Sequence, residues 1–177
     1  MGTTAVDERL DEMHRQIEAL EAKGRTSTRE AKSRIQRQLG TLRQQEASAR
    51  AAAEQRTDTF DEKFEQFQAR FHVAESAVAA DLSGNRNEFA DAVDDELHKW
   101  DTYVERLQAQ MALRASKARE RAESSISDLR RHRNNIAERL AAARTSSVDE
   151  WNEQKKQIGA ARDELQRKAD EFSANST

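Results

Sequence analysis

No proline and no cysteine occur in these 177 residues, glycine appears only 5 times, and aromatic residues make up 5% of the chain. Without proline, no residue removes a backbone donor or forces a helix to end. Without cysteine there is no disulfide framework and no thiolate metal site, which suits a reducing compartment. The low aromatic content and a mean hydropathy of -1.04 argue against one large, ordinary globular core. No apolar run approaches the ~20 residues that a membrane span needs. The N-terminus shows no charged start followed by an apolar stretch, so no signal peptide is expected. Val6 stands where an N-myristoylation pattern wants Ser or Thr. Net charge is -3, which excludes a uniformly basic nucleic-acid binder. A cytoplasmic protein is expected, with peripheral membrane association as the alternative location.

What is present is Ala, Arg, Glu and Gln in quantity, with charged residues at 36%. That mix favours long helices or coiled coil. An apolar stripe runs from Val6 through Leu10, Met13, Ile17 and Leu20, then Ile35, Leu39 and Leu42, then Phe60, Phe64, Phe67, Phe71, Val78 and Leu82. Its steps of three and four average about 3.6 residues, the period of one face of a nearly straight helix. A second stripe follows at Phe89, Val93, Leu97, Trp100, Val104, Leu107 and Met111, continuing to Ile126, Leu129, Ile136, Leu140, Trp151, Ile158 and Leu165. Spacings of eleven also occur, as in Phe60, Phe71, Leu82, Val93 and Val104.

Between the stripes lies Ser83-Gly84-Asn85-Arg86-Asn87. Gly84 can adopt a left-handed backbone cheaply, and Asn85 or Asn87 can cap the next helix. The stretch therefore reads as the tip of a helical hairpin, with arm one over about 4–82 and arm two over about 88–172. Pairing positions whose numbers sum to 171 matches Phe71 with Trp100, Phe67 with Val104, Phe64 with Leu107 and Phe60 with Met111. The expected fold is all-α, a long antiparallel helical hairpin in a single elongated domain, 1–177, turning at about 83–87. Its expected core is Phe60, Phe64, Phe67, Phe71, Val78, Leu82, Phe89, Val93, Leu97, Trp100, Val104, Leu107 and Met111.

Two places are candidates for a helix break, at 24–27 and 145–147. Gly24 is followed by Ser27 and, three on, Glu30; Ser147 is followed three on by Glu150. Both are capping-box spacings. The terminal helices either continue the arms or fold back into a four-helix stem. The register continues beyond the breaks, which favours straight arms.

Charge is laid out in blocks. Residues 1–22 carry 2 basic and 6 acidic side chains, and residues 23–56 carry 9 and 3. Residues 57–101 carry 4 and 12, and residues 114–144 carry 9 and 4. In a straight hairpin like would face like, so the blocks point to a second copy or another partner. One apolar stripe per arm also leaves a two-stranded rod marginal, and a homodimer or higher homo-oligomer is expected. Arg34, Arg37, Arg43, Arg130, Arg131 and Arg133 form the candidate face for an anionic partner, because Arg grips phosphate and carboxylate bidentately. No aromatics interleave there, which makes nucleic acid a weaker partner than anionic lipid.

His72, Glu75, Asp94 and His98 have side chains that suit zinc, yet the two histidines stand well off the stripe. Asp11-x-x-His14 and Asp95-x-x-His98 only approximate a di-iron spacing, which uses Glu. No nucleophile elbow or pocket-forming pattern accompanies the Ser, His and Asp residues. No catalytic residue, metal or cofactor is therefore expected, and no motif places the chain in a family. The functional expectation is a non-enzymatic structural or protein-interaction coiled coil that self-associates and presents charged faces to a protein partner. The alternative is a lipid-surface protein using its Arg-rich arms and an amphipathic face of 11-residue period.

Overall fold

A computed structural model describes residues 3–55, 59–112 and 116–175. The described residues form six α-helices: α1 (Thr3–Gly24), α2 (Arg29–Glu54), α3 (Phe60–Leu82), α4 (Arg86–Ala112), α5 (Ser116–Thr145) and α6 (Val148–Asn175). The all-α class holds. The helices group into two compact units, Met1–Ser83 and Gly84–Thr177.

The first unit is a three-helix bundle in which the chain runs up, down and up. Arg9 pairs with Asp61 at 2.5 Å, Gln68 donates to Gln16 at 3.2 Å, and Lys23 pairs with Glu75 at 3.1 Å. Each pair is 52 residues apart, so α1 and α3 run parallel in one fixed register. Helix α2 runs against both, with Arg43 on Glu21 and Arg34 on Asp81. The core collects Leu10, Met13, Ile17 and Leu20 from α1, and Ile35, Leu39, Leu42, Ala49 and Ala52 from α2. Helix α3 adds Phe60, Phe67, Phe71, Ala74 and Val78. These positions repeat at three and four, so one stripe per helix meets at the bundle axis. Phe60 stacks on Phe64 and Phe67 on Phe71, at 6.3 and 6.2 Å between ring centroids. Helix α3 also buries Ala69, Arg70, Val73, Ala77 and Ala80, residues outside that core cluster.

The second unit follows the same path. Antiparallel α4 and α5 are joined by Arg133 to Asp101 at 2.6 Å, Arg130 to Gln108 at 2.7 Å, and Arg144 to Asp94. Arg139 of α5 reaches Gln157 of α6 at 2.9 Å. Helices α4 and α6 run parallel. Phe89 meets Trp151 near their starts, Glu96 meets Arg162 midway, and Tyr103 meets Ser173 near their ends. Phe89, Val93, Leu97, Trp100, Val104, Leu107 and Met111 are buried here, with Ile126, Leu129, Ile136, Leu140, Ile158 and Leu165.

Several sequence expectations are corrected by this arrangement. The arms are not unbroken: among the described residues each unit has three helices and a core of its own. The terminal helices α1 and α6 fold back along their own units. The breaks after Glu54 and after Ala112 were not foreseen. Leu82, an expected core residue, is 38% exposed. The α1–α3 offset explains why: the α1 position opposite residue 82 would be 30, beyond the end of α1 at Gly24. Phe64 is only partly buried against the core.

The candidate breaks at 24–27 and 145–147 are present, and their chemistry is specific. At the first, Thr28 rather than Ser27 caps α2, accepting from the Ala31 amide, while Ser27 Oγ donates to the Gly24 carbonyl. At the second, the Ser147 amide donates to Glu150 Oε2 at 2.9 Å, and the Glu150 amide donates to Ser147 Oγ at 3.3 Å. Both bonds of the expected capping box are made. At the central turn, α4 resumes at Arg86 with Asn85 as its cap, accepting from the Glu88 amide at 3.0 Å. Gly84 does not use the left-handed backbone expected of it; its amide donates to Glu88 Oε2.

Candidate functional site

The charge blocks find their explanation inside the units. In the first, basic α2 packs between acidic α1 and α3; in the second, basic α5 packs against acidic α4. Of the candidate anionic-partner residues, Arg34 pairs with Asp81, Arg43 with Glu21, and Arg133 with Asp101. Arg131 pairs with Asp128 one turn back, Arg130 donates to Gln108, and Arg37 donates to Ser33. The structure therefore places Arg34, Arg37 and Arg43 together on α2, and Arg130, Arg131 and Arg133 together on α5, each with a protein partner. These pairs are mostly solvent-exposed, so each contributes at most about 1 kcal/mol.

One ion pair is different in kind. Arg162 Nε donates to Glu96 Oε2 at 2.6 Å, and both side chains are only 4% exposed. Trp100 Nε1 donates to the other carboxylate oxygen at 3.4 Å. The Trp100 ring meets Tyr103 edge-on at 5.7 Å. A buried pair of this kind fixes α4 against α6 because any slip strands two charges in an apolar interior. Nothing in the linear pattern pointed to it: Glu96 lies one residue from Leu97, and Arg162 sits among charged neighbours.

A second cluster closes the α5–α6 turn. Arg86 donates to the carbonyls of Ser146 at 2.8 Å and Ser147 at 3.1 Å, and its guanidinium lies 4.9 Å from the Trp151 ring centre. Trp151 packs edge-on against Phe89 at 5.5 Å, and Lys155 Nζ lies 5.0 Å from the Phe89 centre. The turn carbonyls thereby acquire the donor that a helix end lacks.

Of the residues weighed for metal or acid–base chemistry, Glu75, Asp94, His98, His72 and His14 are occupied otherwise. Glu75 pairs with Lys23 and Asp94 with Arg144. His98 Nδ1 lies 2.8 Å from the Asp94 carbonyl oxygen, and His72 meets the Phe71 ring edge. His14 sits between Glu18 and Glu46, at 3.5 and 3.3 Å. Among the described residues, no group of three or more His, Asp or Glu side chains is placed to hold a metal ion. Titration is perturbed at few groups. The amide and hydroxyl of Ser147 hold the Glu150 carboxyl below the usual carboxylate range. The hydrogen bond from Arg167 does the same for Glu164. Both carboxyls stabilise helical structure on the surface.

An open depression of about 480 Å³ lies between α1 and α2, lined by Glu21, Gly24, Arg25, Lys32, Ile35, Gln36, Leu39 and Arg43. Its floor is closed by the approach of the two helices: a Cβ on Gly24 would stand 2.7 Å from Ile35 Cγ2. Its rim is cationic. Arg25, Arg29 and Lys32, at and beside this rim, are exposed, and their side chains make no ion pair or hydrogen bond among the described residues. Sequence reasoning stressed other arginines; the signal it passed over was basic residues in the first turn of a helix, where they oppose the helix dipole.

No protein-family model, curated protein or solved structure matches this chain. Among the described residues no helix is long and apolar enough to cross a membrane.

Proposed function

We propose that the chain is a non-enzymatic structural and partner-binding protein that acts in the cytoplasm, using paired three-helix units as rigid spacers, and that it associates with copies of itself. The observation that carries this reading is the disposition of charge. Arg34 and Arg43 of α2, and Arg130, Arg133, Arg139 and Arg144 of α5, are each held by a neighbouring helix, so each unit carries a fixed pattern of exposed charge on its outer surface. The α1–α2 depression is open to solvent, which suits contact with another folded surface. Sedimentation velocity at micromolar to near-millimolar protein tests self-association directly. A species heavier than the monomer at low ionic strength is expected, and a monomer under every condition would remove the self-association.

The lipid-surface reading draws less support. It needs arginines free to meet headgroups, and the six proposed for that role already have partners within the chain. Co-sedimentation with vesicles of anionic phospholipid separates the two readings: salt-sensitive binding by the wild-type chain would favour the lipid surface.

A further inference from the structure

The unpaired charges of the first unit gather at its two ends, acidic at one and, Glu30 apart, basic at the other. Asp7, Glu8 and Asp11 lie exposed in the first turns of α1, without side-chain partners among the described residues. Arg25, Arg29 and Lys32 lie at the opposite end, nearly the length of α1 away, roughly 25 Å at 1.5 Å per residue. Helix dipoles account for neither cluster. Asp7, Glu8 and Asp11 lie beyond the first turn of α1, where the dipole's effect fades. Arg29 and Lys32, in the first turns of α2, oppose theirs, so helix stability does not account for them. Beside them the α1–α2 depression offers an apolar floor of Ile35 and Leu39, bordered by the Arg43–Glu21 ion pair.

Resting on the self-association proposed above, we infer that the first unit joins copies head to tail, the acidic start of α1 in one copy docking into the basic α1–α2 depression of the next. The occupant is a second copy of this chain because the complementary charge is present on the same unit and is likewise unpaired. The contact is heterologous: the surface that donates is not the surface that receives. Such a contact leaves one end open at each addition and builds chains rather than closed dimers. Like other contacts steered by exposed charge, it weakens as salt rises.

Two variants of the full chain test this, D7N/E8Q/D11N and R25Q/R29Q/K32Q. All six positions are exposed, and circular dichroism checks that helicity is retained. By equilibrium sedimentation in salt of about 20 mM, the wild-type chain should form species beyond the dimer that dissolve at about 500 mM. Each variant alone should associate at least about tenfold more weakly, because it keeps only one of the two complementary ends. An equimolar mixture of the variants should recover association but stop at a one-to-one dimer, since only one intact pair of ends remains. If the wild-type chain associates and both variants associate equally well, the assigned surfaces are wrong while self-association stands. If the mixture stays monomeric while the wild-type chain associates, the head-to-tail contact is wrong. A wild-type chain that is monomeric at low salt overturns the inference together with the self-association on which it rests.

Discussion

At the scale of single residues, the strongest constraint is the Glu96–Arg162 pair. Its worth lies less in net stability than in what its loss would leave behind. Arg162→Met removes the cation and leaves the Glu96 carboxyl buried without its charge partner. A cost of about 3–5 kcal/mol is expected for breaking one side of a buried pair. Replacing both partners, as E96M/R162M, removes the charge problem and should return much of that loss. Urea unfolding of the two variants measures the difference. If the double variant is no better than the single one, the pair is not the source of the penalty. Gly24, the last residue of α1, and Gly40, inside α2, make a similar contrast in the first unit. A Cβ at Gly40 meets nothing within 4 Å, so Gly40→Ala should stabilise by about 0.5–1 kcal/mol through helix propensity alone. At Gly24 a Cβ would press on Ile35 Cγ2, so Gly24→Ala should destabilise, with a lower urea midpoint. Equal and favourable shifts at both sites would refute the tight α1–α2 approach.

At the scale of the helix, the caps carry most of what can be tested. Glu150 titrates below its ordinary range because the Ser147 amide and hydroxyl favour the carboxylate. A carboxyl whose folded pKa is depressed contributes stability that is complete above its unfolded pKa and disappears as pH falls through the folded one. The capping box at the start of α6 should therefore be intact at neutral pH and lost in acid, below the usual carboxylate range. Comparing Glu150→Gln with the wild-type chain by thermal melts should show a deficit at pH 7 that shrinks toward pH 3. A deficit independent of pH would mean that the carboxylate charge plays no part. Thr28→Ala, at the start of α2, should cost about 1 kcal/mol with no such pH dependence, because a hydroxyl cap does not titrate. These ends were also the most legible features of the sequence. Gly24, Ser147 with Glu150, and Asn85 with Gly84 each announced a helix boundary by local chemistry, and each boundary is there. The break before Phe60 was carried only by Thr59 and the acids Asp61 and Glu62, which lack the glycine that marked the others. Residues 113–115, in the remaining break, lie outside the described residues.

At the scale of the whole molecule, the sequence specified which faces are apolar but not which helix each face would meet. A stripe of period 3.6 packs equally well in a two-stranded rod and in a three-helix bundle, so periodicity marked Phe67 and Phe71 as buried without naming the helices they meet. The charge blocks held the missing information. Like facing like counted against the straight hairpin, and a basic helix flanked by acidic ones resolves it within each unit. Every member of the first core, from Leu10 to Val78, belongs to residues 1–83. The pairs that set the α1–α3 register are likewise internal to that segment. Separation after Ser83 should therefore leave two chains that each fold. At roughly 80–95 residues, both exceed the size below which a single core usually needs disulfides, metal or oligomerisation. The measurement is circular dichroism with thermal melting on residues 1–83 and 84–177. Each should show high helicity and one cooperative transition, and their summed helical signal should approach that of the intact chain. A fragment 1–83 that is unfolded at low temperature would show that its core cannot sustain three helices alone. In that case the local pairs described here would be consequences of the full-length fold rather than its cause.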